Sequence, residues 1–376
     1  MRIKIFVPAF VGVTVFLMFF GLFVENVFAA TVVYPAPAGA SLSTDYAVKV
    51  NGQTVSVYKG NGQSSQPHSF AYFDFSGSVT VEVTMASPYM GIPIIRPISK
   101  GITYTLNNKT ITFSLSNPSN ISIEPNKDYI NTDVAPLLLF ANPLEVNPPT
   151  QSTSGVIYYG PGYHNVGLIN LGSNQTLYIA GGAVVTGRVT ATGNNIKVSG
   201  RGILDGLGQY ITLAFPNNYD RVLHFRNCTN CSAEGIILKD SKAWTLHIED
   251  SSYVTVNNLK IISAVGPIWH DGIDINASDH VAIQDSFVLT DDDTIQIGGL
   301  TYAGSSSAVN HPVDTISVTR SVFWAQANNW RIGWVARTPY ISNLTFTDID
   351  IIHRAGYLPV VAKLYSCTRC LRTLNK

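Results

Sequence analysis

Three aspartates, Asp271, Asp292 and Asp293, carry the strongest chemical signal in this 376-residue chain. His270-Asp271-Gly272-Ile273-Asp274-Ile275 aligns without a gap on Asp292-Asp293-Thr294-Ile295-Gln296-Ile297, 22 residues further on (271 to 293). The isoleucines at 273/295 and 275/297 coincide, as core-facing positions of two stacked strands should. Asp271 then stands one strand spacing, about 4.8 Å, from Asp293. Asp292 lies beside Asp293 and projects differently by strand alternation. Folding does not reward this crowding, because neighbouring carboxylates repel and raise at least one pKa. Hydrolysis of a glycosidic bond does need it: one protonated carboxyl serves the leaving oxygen, and carboxylates hold and deprotonate a water. Asp271, Asp292 and Asp293 are therefore the expected catalytic set. Calcium ligation by an Asp-rich turn and plain turn capping are the bland alternatives.

The flanking residues suit a sugar ligand. Trp244 falls about one rung before Asp271 if Leu246 registers with Ile273, and Trp269, Trp330 and Trp334 flank the same region. Ring faces stack on sugars, while Asn328, Asn329 and Arg331 supply hydroxyl partners. His270 registers with Asp292 and is expected to share its proton. His247 registers with Asp274 and reads as a wall residue, while Asp274 itself is expected among the substrate-binding residues. No metal or cofactor is expected.

Residues 22 apart can stand side by side only in a coiled scaffold. Beyond residue 155, an apolar–any–apolar unit recurs at Leu177, Ile196, Cys231, Val254, Val281, Ile316 and Leu344. Each repeat is too short to hide its own apolar face, so neighbours must stack. Period-2 alternation without crossover helices predicts a parallel β-helix over 156–376. Residues 30–146 alternate in short runs, such as Tyr46-Ala47-Val48-Lys49-Val50, with Asn-Gly turns at 51–52 and 61–62; these predict an antiparallel β-sandwich. A Pro/Asn/Ser/Thr-rich linker, 147–155, separates the two. The fold class is thus all-β, a β-sandwich followed by a right-handed parallel β-helix. The chain ends soon after the last repeat, which sets an expectation of C-terminal truncation.

Met1-Arg2-Ile3-Lys4, the apolar run 5–24 and Val27-Phe28-Ala29 form a signal-peptide pattern over 1–29, with retention of 5–24 as a membrane anchor the alternative. Secretion is expected. Lys+Arg and Asp+Glu balance at 24 each, so no global charge points to nucleic acid or to an anionic membrane. A polysaccharide is the expected partner of a monomeric protein. Cys228/Cys231 and Cys367/Cys370 read as local disulfide pairs of an exported chain rather than as zinc ligands.

His270-Asp271-Gly272-Ile273-Asp274 resembles the Asn-Thr-Asp-Gly-Ile-Asp motif of the polygalacturonases, glycoside hydrolase family 28. Asp292-Asp293-Thr294-Ile295 resembles that family's Asp-Asp pair, and Ala243-Trp244-Thr245-Leu246-His247 its tryptophan-containing coil. The resemblance implies Asp292 as general acid, with Asp271 and Asp293 activating water. The family's Gly-His-Gly position reads Asn328-Asn329-Trp330, and its carboxylate-gripping Arg-Ile-Lys is only echoed by Val361-Ala362-Lys363. A second resemblance, to the family 49 dextranases and isopullulanase, rests on the sandwich-plus-helix layout. It also rests on Tyr158-Tyr159-Gly160-Pro161-Gly162-Tyr163, the stretch Leu177 to Gly187, Gly200-Arg201-Gly202-Ile203-Leu204-Asp205-Gly206 and Ile332-Gly333-Trp334. Both families imply inversion without a metal. Family 49 ranks first here, with a neutral α-glucan as the expected substrate and a pectin-type polymer as the alternative. A pectate-type lyase and a non-catalytic carbohydrate-binding solenoid complete the field.

Overall fold

The computed structural model describes residues 30–60, 68–86, 92–126, 135–207, 221–263, 270–299, 311–333, 338–354, 362–364 and 372–374. The expected signal segment, Trp269, Trp334, Cys367 and Cys370 lie outside the described residues. Among those described, the helical content is one 3-10 turn, Ile98–Lys100. None of them forms a helix long and apolar enough to cross a membrane.

The N-terminal strands make two stacked sheets. One runs Thr31–Val33, Ser69–Phe75, Leu137–Pro143, Ser119–Glu124, Ile94–Arg96, with Val57–Lys59 also on Ser69–Phe75. The other runs Gln53–Val55, Tyr46–Val50, Val79–Met85, Thr110–Leu115, Tyr104–Asn107. In the second sheet the alternation is clean: Val79, Val81, Val83 and Met85 are buried and Thr80 is exposed. One pair departs from the antiparallel expectation, since Leu137–Pro143 lies parallel to Ser69–Phe75. Ser69–Phe75 is buried along its whole length. Ala71, Phe73 and Phe75 enter the sandwich core, while Phe70 and Tyr72 face the other way, onto the coil.

From Val156 onward 22 strands among the described residues form a parallel β-helix, pairing with their counterparts on the next coil. Inward columns fill the interior, for example Leu223, Leu246, Ile273 and Ile295, each less than one per cent exposed. Corners need left-handed backbone, which Asn and Asp adopt at little cost. Asn258, Asp285, Arg320 and Asp348 form one such corner column, with φ values of 50°, 53°, 47° and 54°. The Cys228 and Cys231 side chains are free thiols rather than a disulfide. Both turn into the coil core, where Cys228 Sγ donates to the Ala191 carbonyl at 3.4 Å.

Sandwich and coil share an apolar interface of Tyr58, Phe70, Tyr72, Leu138 and Phe140 against Ile203, Ile237, Ile262, Phe287 and Trp324. Arg201 pins it. Its Nε donates to Asp74 Oδ1 and Oδ2 at 3.0 and 2.9 Å, and its Nη2 to the Pro143 carbonyl at 2.9 Å. The neighbouring Gly200, at φ 130°, tolerates no side chain, because a Cβ there would stand 1.9 Å from the Ile179 carbonyl oxygen.

Candidate active site

Strands Ile273–Asn276 and Ile295–Gly298 pair in parallel with Ile273 opposite Ile295 and Ile275 opposite Ile297. Gly272 N donates to Asp293 O at 2.8 Å and Ile273 N to Thr294 O at 2.9 Å. The turn residues Asp271 and Asp293 are thereby stacked on consecutive coils. Gly272 keeps them close: a Cβ there would meet the Thr294 carbonyl oxygen at 2.5 Å.

Carboxylate oxygens of Asp271, Asp292 and Asp293 all lie within 4.8 Å of one another. Asp274 and Asp293 are fully buried, Asp271 is 4% exposed and Asp292 is 9% exposed. Asp292 is thus the member that looks most towards solvent. Burial, followed by the charges of Asp292, Asp274 and Asp293, pushes Asp271 well above the usual carboxylate range. Burial likewise raises Asp274, whose side chain interacts with that of Asp271. Burial and Asp292 push Asp293 up to about 6, although Arg331 and Asn328 oppose the rise. Arg331 Nε stands 2.8 Å from Asp293 Oδ2, and Asn328 donates its backbone N and Nδ2 to Asp293 Oδ1 at 3.2 and 2.6 Å. The group therefore combines a carboxylate held by fixed donors with carboxyls that burial makes harder to ionise, the two tendencies that acid–base hydrolysis draws on.

Several expected contacts fall elsewhere. His270 does not pair with Asp292. Its Nδ1 lies 2.8 Å from Asp291 Oδ2, and its backbone N donates to Asp291 Oδ1 at 3.3 Å. Asp291 thus ties together the two turns that present Asp271 and Asp292. Trp330 is not a sugar platform, because it continues the inward isoleucine column opposite Ile295. Its ring stacks on Phe346 at 5.1 Å and meets Phe323 edge-on. Asn329 is fully buried, its backbone accepting from Thr294 Oγ1 and Ile295 N. Trp244 does sit in the column before Asp271, but it is 7% exposed, with its edge on His247 and the Arg221 guanidinium 5.3 Å over its ring. Lys363 follows Arg331 in strand register.

Four residues escaped the sequence reading. Arg221, His224, Glu249 and Asp291 all border the site. His224 registers with His247, which registers with Asp274; the repeated Leu-His at 223–224 and 246–247 was the visible signal. His224 Nε2 bonds Glu249 Oε2 at 2.9 Å, and burial lowers the pKa of both histidines. His224, His247 and Glu249 sit close enough to suggest a cation site. The two imidazoles, however, stack 4.7 Å apart and nearly parallel, at 6°. Their lone pairs lie in the ring planes and do not converge on one point, so this trio is a floor rather than a metal centre.

Comparison with known proteins agrees with the geometry. A probable polygalacturonase of Arabidopsis thaliana is 39% identical over 148 residues, 34% of this chain and 32% of that protein. A probable endo-xylogalacturonan hydrolase A of Aspergillus fumigatus is 25% identical over 186 residues, 41% of this chain and 46% of that protein. The chain thus matches less than half the length of these curated relatives. Among solved structures, Dex49A from Penicillium minioluteum superposes with a TM-score of 0.61 over 90% of this chain and 89% of its own, at 13% identity. That likeness supports the sandwich-plus-helix fold and carries no substrate with it. The resemblance to family 28 is met in sequence and that to family 49 in fold alone, which reverses their ranking. The family model "Glycosyl hydrolases family 28" spans residues 172–366, more than half the chain and all of the coils that bear the aspartate cluster, and this protein belongs to that family.

Proposed function

We propose that this protein is an exported O-glycosyl hydrolase that cleaves a galacturonate-containing, pectin-type polysaccharide. The observation that carries the reading is the registered trio of Asp271, Asp292 and Asp293, with oxygens within 4.8 Å. Asp292, the most exposed of them, protonates the leaving oxygen. Asp293, held by Arg331 and Asn328, takes the water's proton, with Asp271 orienting that water. A two-carboxylate inverting site needs a gap of about 6.5–9.5 Å to admit water. With oxygens this close, inversion requires the water to sit beside the Asp271–Asp293 pair rather than in such a gap, and the anomer of the first product tests this.

The choice of substrate follows from how the side chains are spent. A neutral glucan would draw on Trp330, Asn328 and Asn329, yet the first is packed inward, the second holds Asp293 and the third is buried. Beside the aspartates stands a basic residue instead, Arg331, which pairs with Asp293, and Lys363 follows it in backbone register on the next coil. The relatives named above are a polygalacturonase and a xylogalacturonan hydrolase. The test is release of reducing ends from polygalacturonate, xylogalacturonan and dextran by the purified protein. Cleavage of dextran with polygalacturonate untouched overturns the substrate. Unsaturated products absorbing in the ultraviolet overturn hydrolysis in favour of elimination.

A further inference from the structure

The parallel ladder between the coil of Asp271 and the coil of Asp292 begins at Gly272, whose N donates to Asp293 O at 2.8 Å. Just ahead of that bond, one side chain spans the two turns. Asp291, the residue before Asp292, takes the His270 backbone N on Oδ1 at 3.3 Å and stands with Oδ2 2.8 Å from His270 Nδ1. His270 is itself the residue before Asp271. The pair thus fastens the chain immediately ahead of both aspartates, with the His270 side chain 3% exposed and that of Asp291 fully buried. Thr290 Oγ1 donates to Asp292 O at 3.1 Å and closes the same turn from the other side of Asp291.

Folding gives little reason for these two residues. An aspartate directly before Asp292 and Asp293 adds like charge to a crowded turn, and a neutral Asn or Ser accepts from a turn N–H as well. His270 carries a further liability, because its Nε2 is buried with no hydrogen-bond partner among the described residues, which costs stability. Asp293 already has its own fixed donors, Asn328 and Arg331. What the clasp adds is a fixed offset between the turn of Asp271 and the turn of Asp292, and small errors in such an offset are expensive in rate.

We propose that His270 and Asp291 are positioning residues that act as one unit to hold Asp292 in line with the leaving oxygen. The proposal rests on the hydrolytic reading of the aspartate trio. Both residues act through the aspartates that follow them in sequence.

The experiment measures turnover of the polymer that the parent cleaves, polygalacturonate on the reading above, by full chains carrying Asp291→Ala, His270→Ala or both. Asp291→Ala removes both contacts and should lower kcat about 100-fold with KM within about threefold, the scale of a misplaced reacting group. His270→Ala keeps the backbone contact and should cost less, about tenfold. The double variant should be no slower than Asp291→Ala, as expected of residues that act as a unit. His270→Asn, whose amide nitrogen can stand where Nδ1 stood, should recover most of the loss. Melting curves check folding, and if Asp291→Ala fails to fold, Asp291→Asn gives the same comparison at a smaller loss. The corresponding glycosyl fluoride, digalacturonosyl fluoride for polygalacturonate, separates placement of the acid from general loosening. Fluoride departs without needing a proton from Asp292, so Asp291→Ala should hydrolyse it within about threefold of the parent rate. Equal losses on polymer and fluoride, a raised KM in place of a lowered kcat, or losses that multiply in the double variant overturn the positioning unit and leave the hydrolytic reading in place. A parent protein that hydrolyses none of polygalacturonate, xylogalacturonan and dextran removes both.

Discussion

At the sandwich–coil interface, Asp74 accepts from Arg201 Nε through both of its oxygens and is also bonded by Tyr34, while Arg201 Nη1 lies 3.9 Å from Glu145 Oε1. Tyr178 donates to Glu145 Oε2 at 2.9 Å. In the cleft, Asp271, Asp274, Asp292 and Asp293 crowd together, and Arg331 pairs with Asp293. Both regions are buried and acidic, and burial raises Asp74 as it does Asp271. The difference lies in how the charge is answered. At the interface the cation is shared between two carboxylates and braced by backbone, which makes a clamp. In the cleft the charge is left under-compensated, which makes a reagent whose protons can move.

The largest effect should come from the reagent side. Asp292→Asn keeps the shape but has no proton to donate, so turnover should fall by at least ~100-fold, the scale of general-acid catalysis. Its melting temperature should hold or rise, because like-charge crowding is relieved. A steady-state assay beside a melting curve separates the two regions. Unchanged turnover would place the acid elsewhere.

Arg201→Met should reverse that pattern. Removing one partner of a buried pair costs about 3–5 kcal/mol, read as a lower urea midpoint. The kcat of the remaining folded protein should stay near the parent value. A loss of kcat with stability intact would dissolve the distinction between clamp and reagent.

The pH dependence of stability separates them more finely. Asp293 sits at about 6 in the fold, against about 3.9 for an unperturbed aspartate. The folded form therefore holds a proton that the unfolded chain has released, so this group's contribution to stability falls as pH rises from about 4 to about 6. Asp293→Asn should flatten that part of a stability–pH curve. A wild-type curve that rises through the same window with this group alone varied would contradict the assignment. The smallest effect expected is none: excess EDTA should leave turnover intact, because carboxyls and Arg331 suffice. Loss on chelation, restored by calcium, would turn the trio into a cation site. The first product should appear as the inverted anomer by NMR, and retention would make one aspartate a nucleophile.

Much of this was legible in the text of the chain. Ile273/Ile295 and Ile275/Ile297 recur at a fixed offset, so register and the stacking of Asp271 on Asp293 could be read directly. Trp330 follows the same rule, but 35 residues separate Ile295 from Trp330. That longer interval hid its place in the inward column. His270 was harder, because register reports backbone neighbours while Asp291 folds back to take both its ring and its N–H. Ser69–Phe75 lacks alternation because both of its faces are covered. A one-sided pattern cannot announce a two-sided burial.

Each coil of such a stack touches only its neighbours, and this bears on how the protein fails. Asp293 takes its donors, Asn328 and Arg331, from the coil that follows its own. If that coil loosens, Asp271 and Asp292 stay where they are while Asp293 loses the groups that keep it anionic. Fraying of one turn should therefore silence the protein while most of the parallel ladder is still paired. On slow heating, inactivation should precede the loss of far-ultraviolet dichroism, so that turnover serves as an early gauge of unzipping.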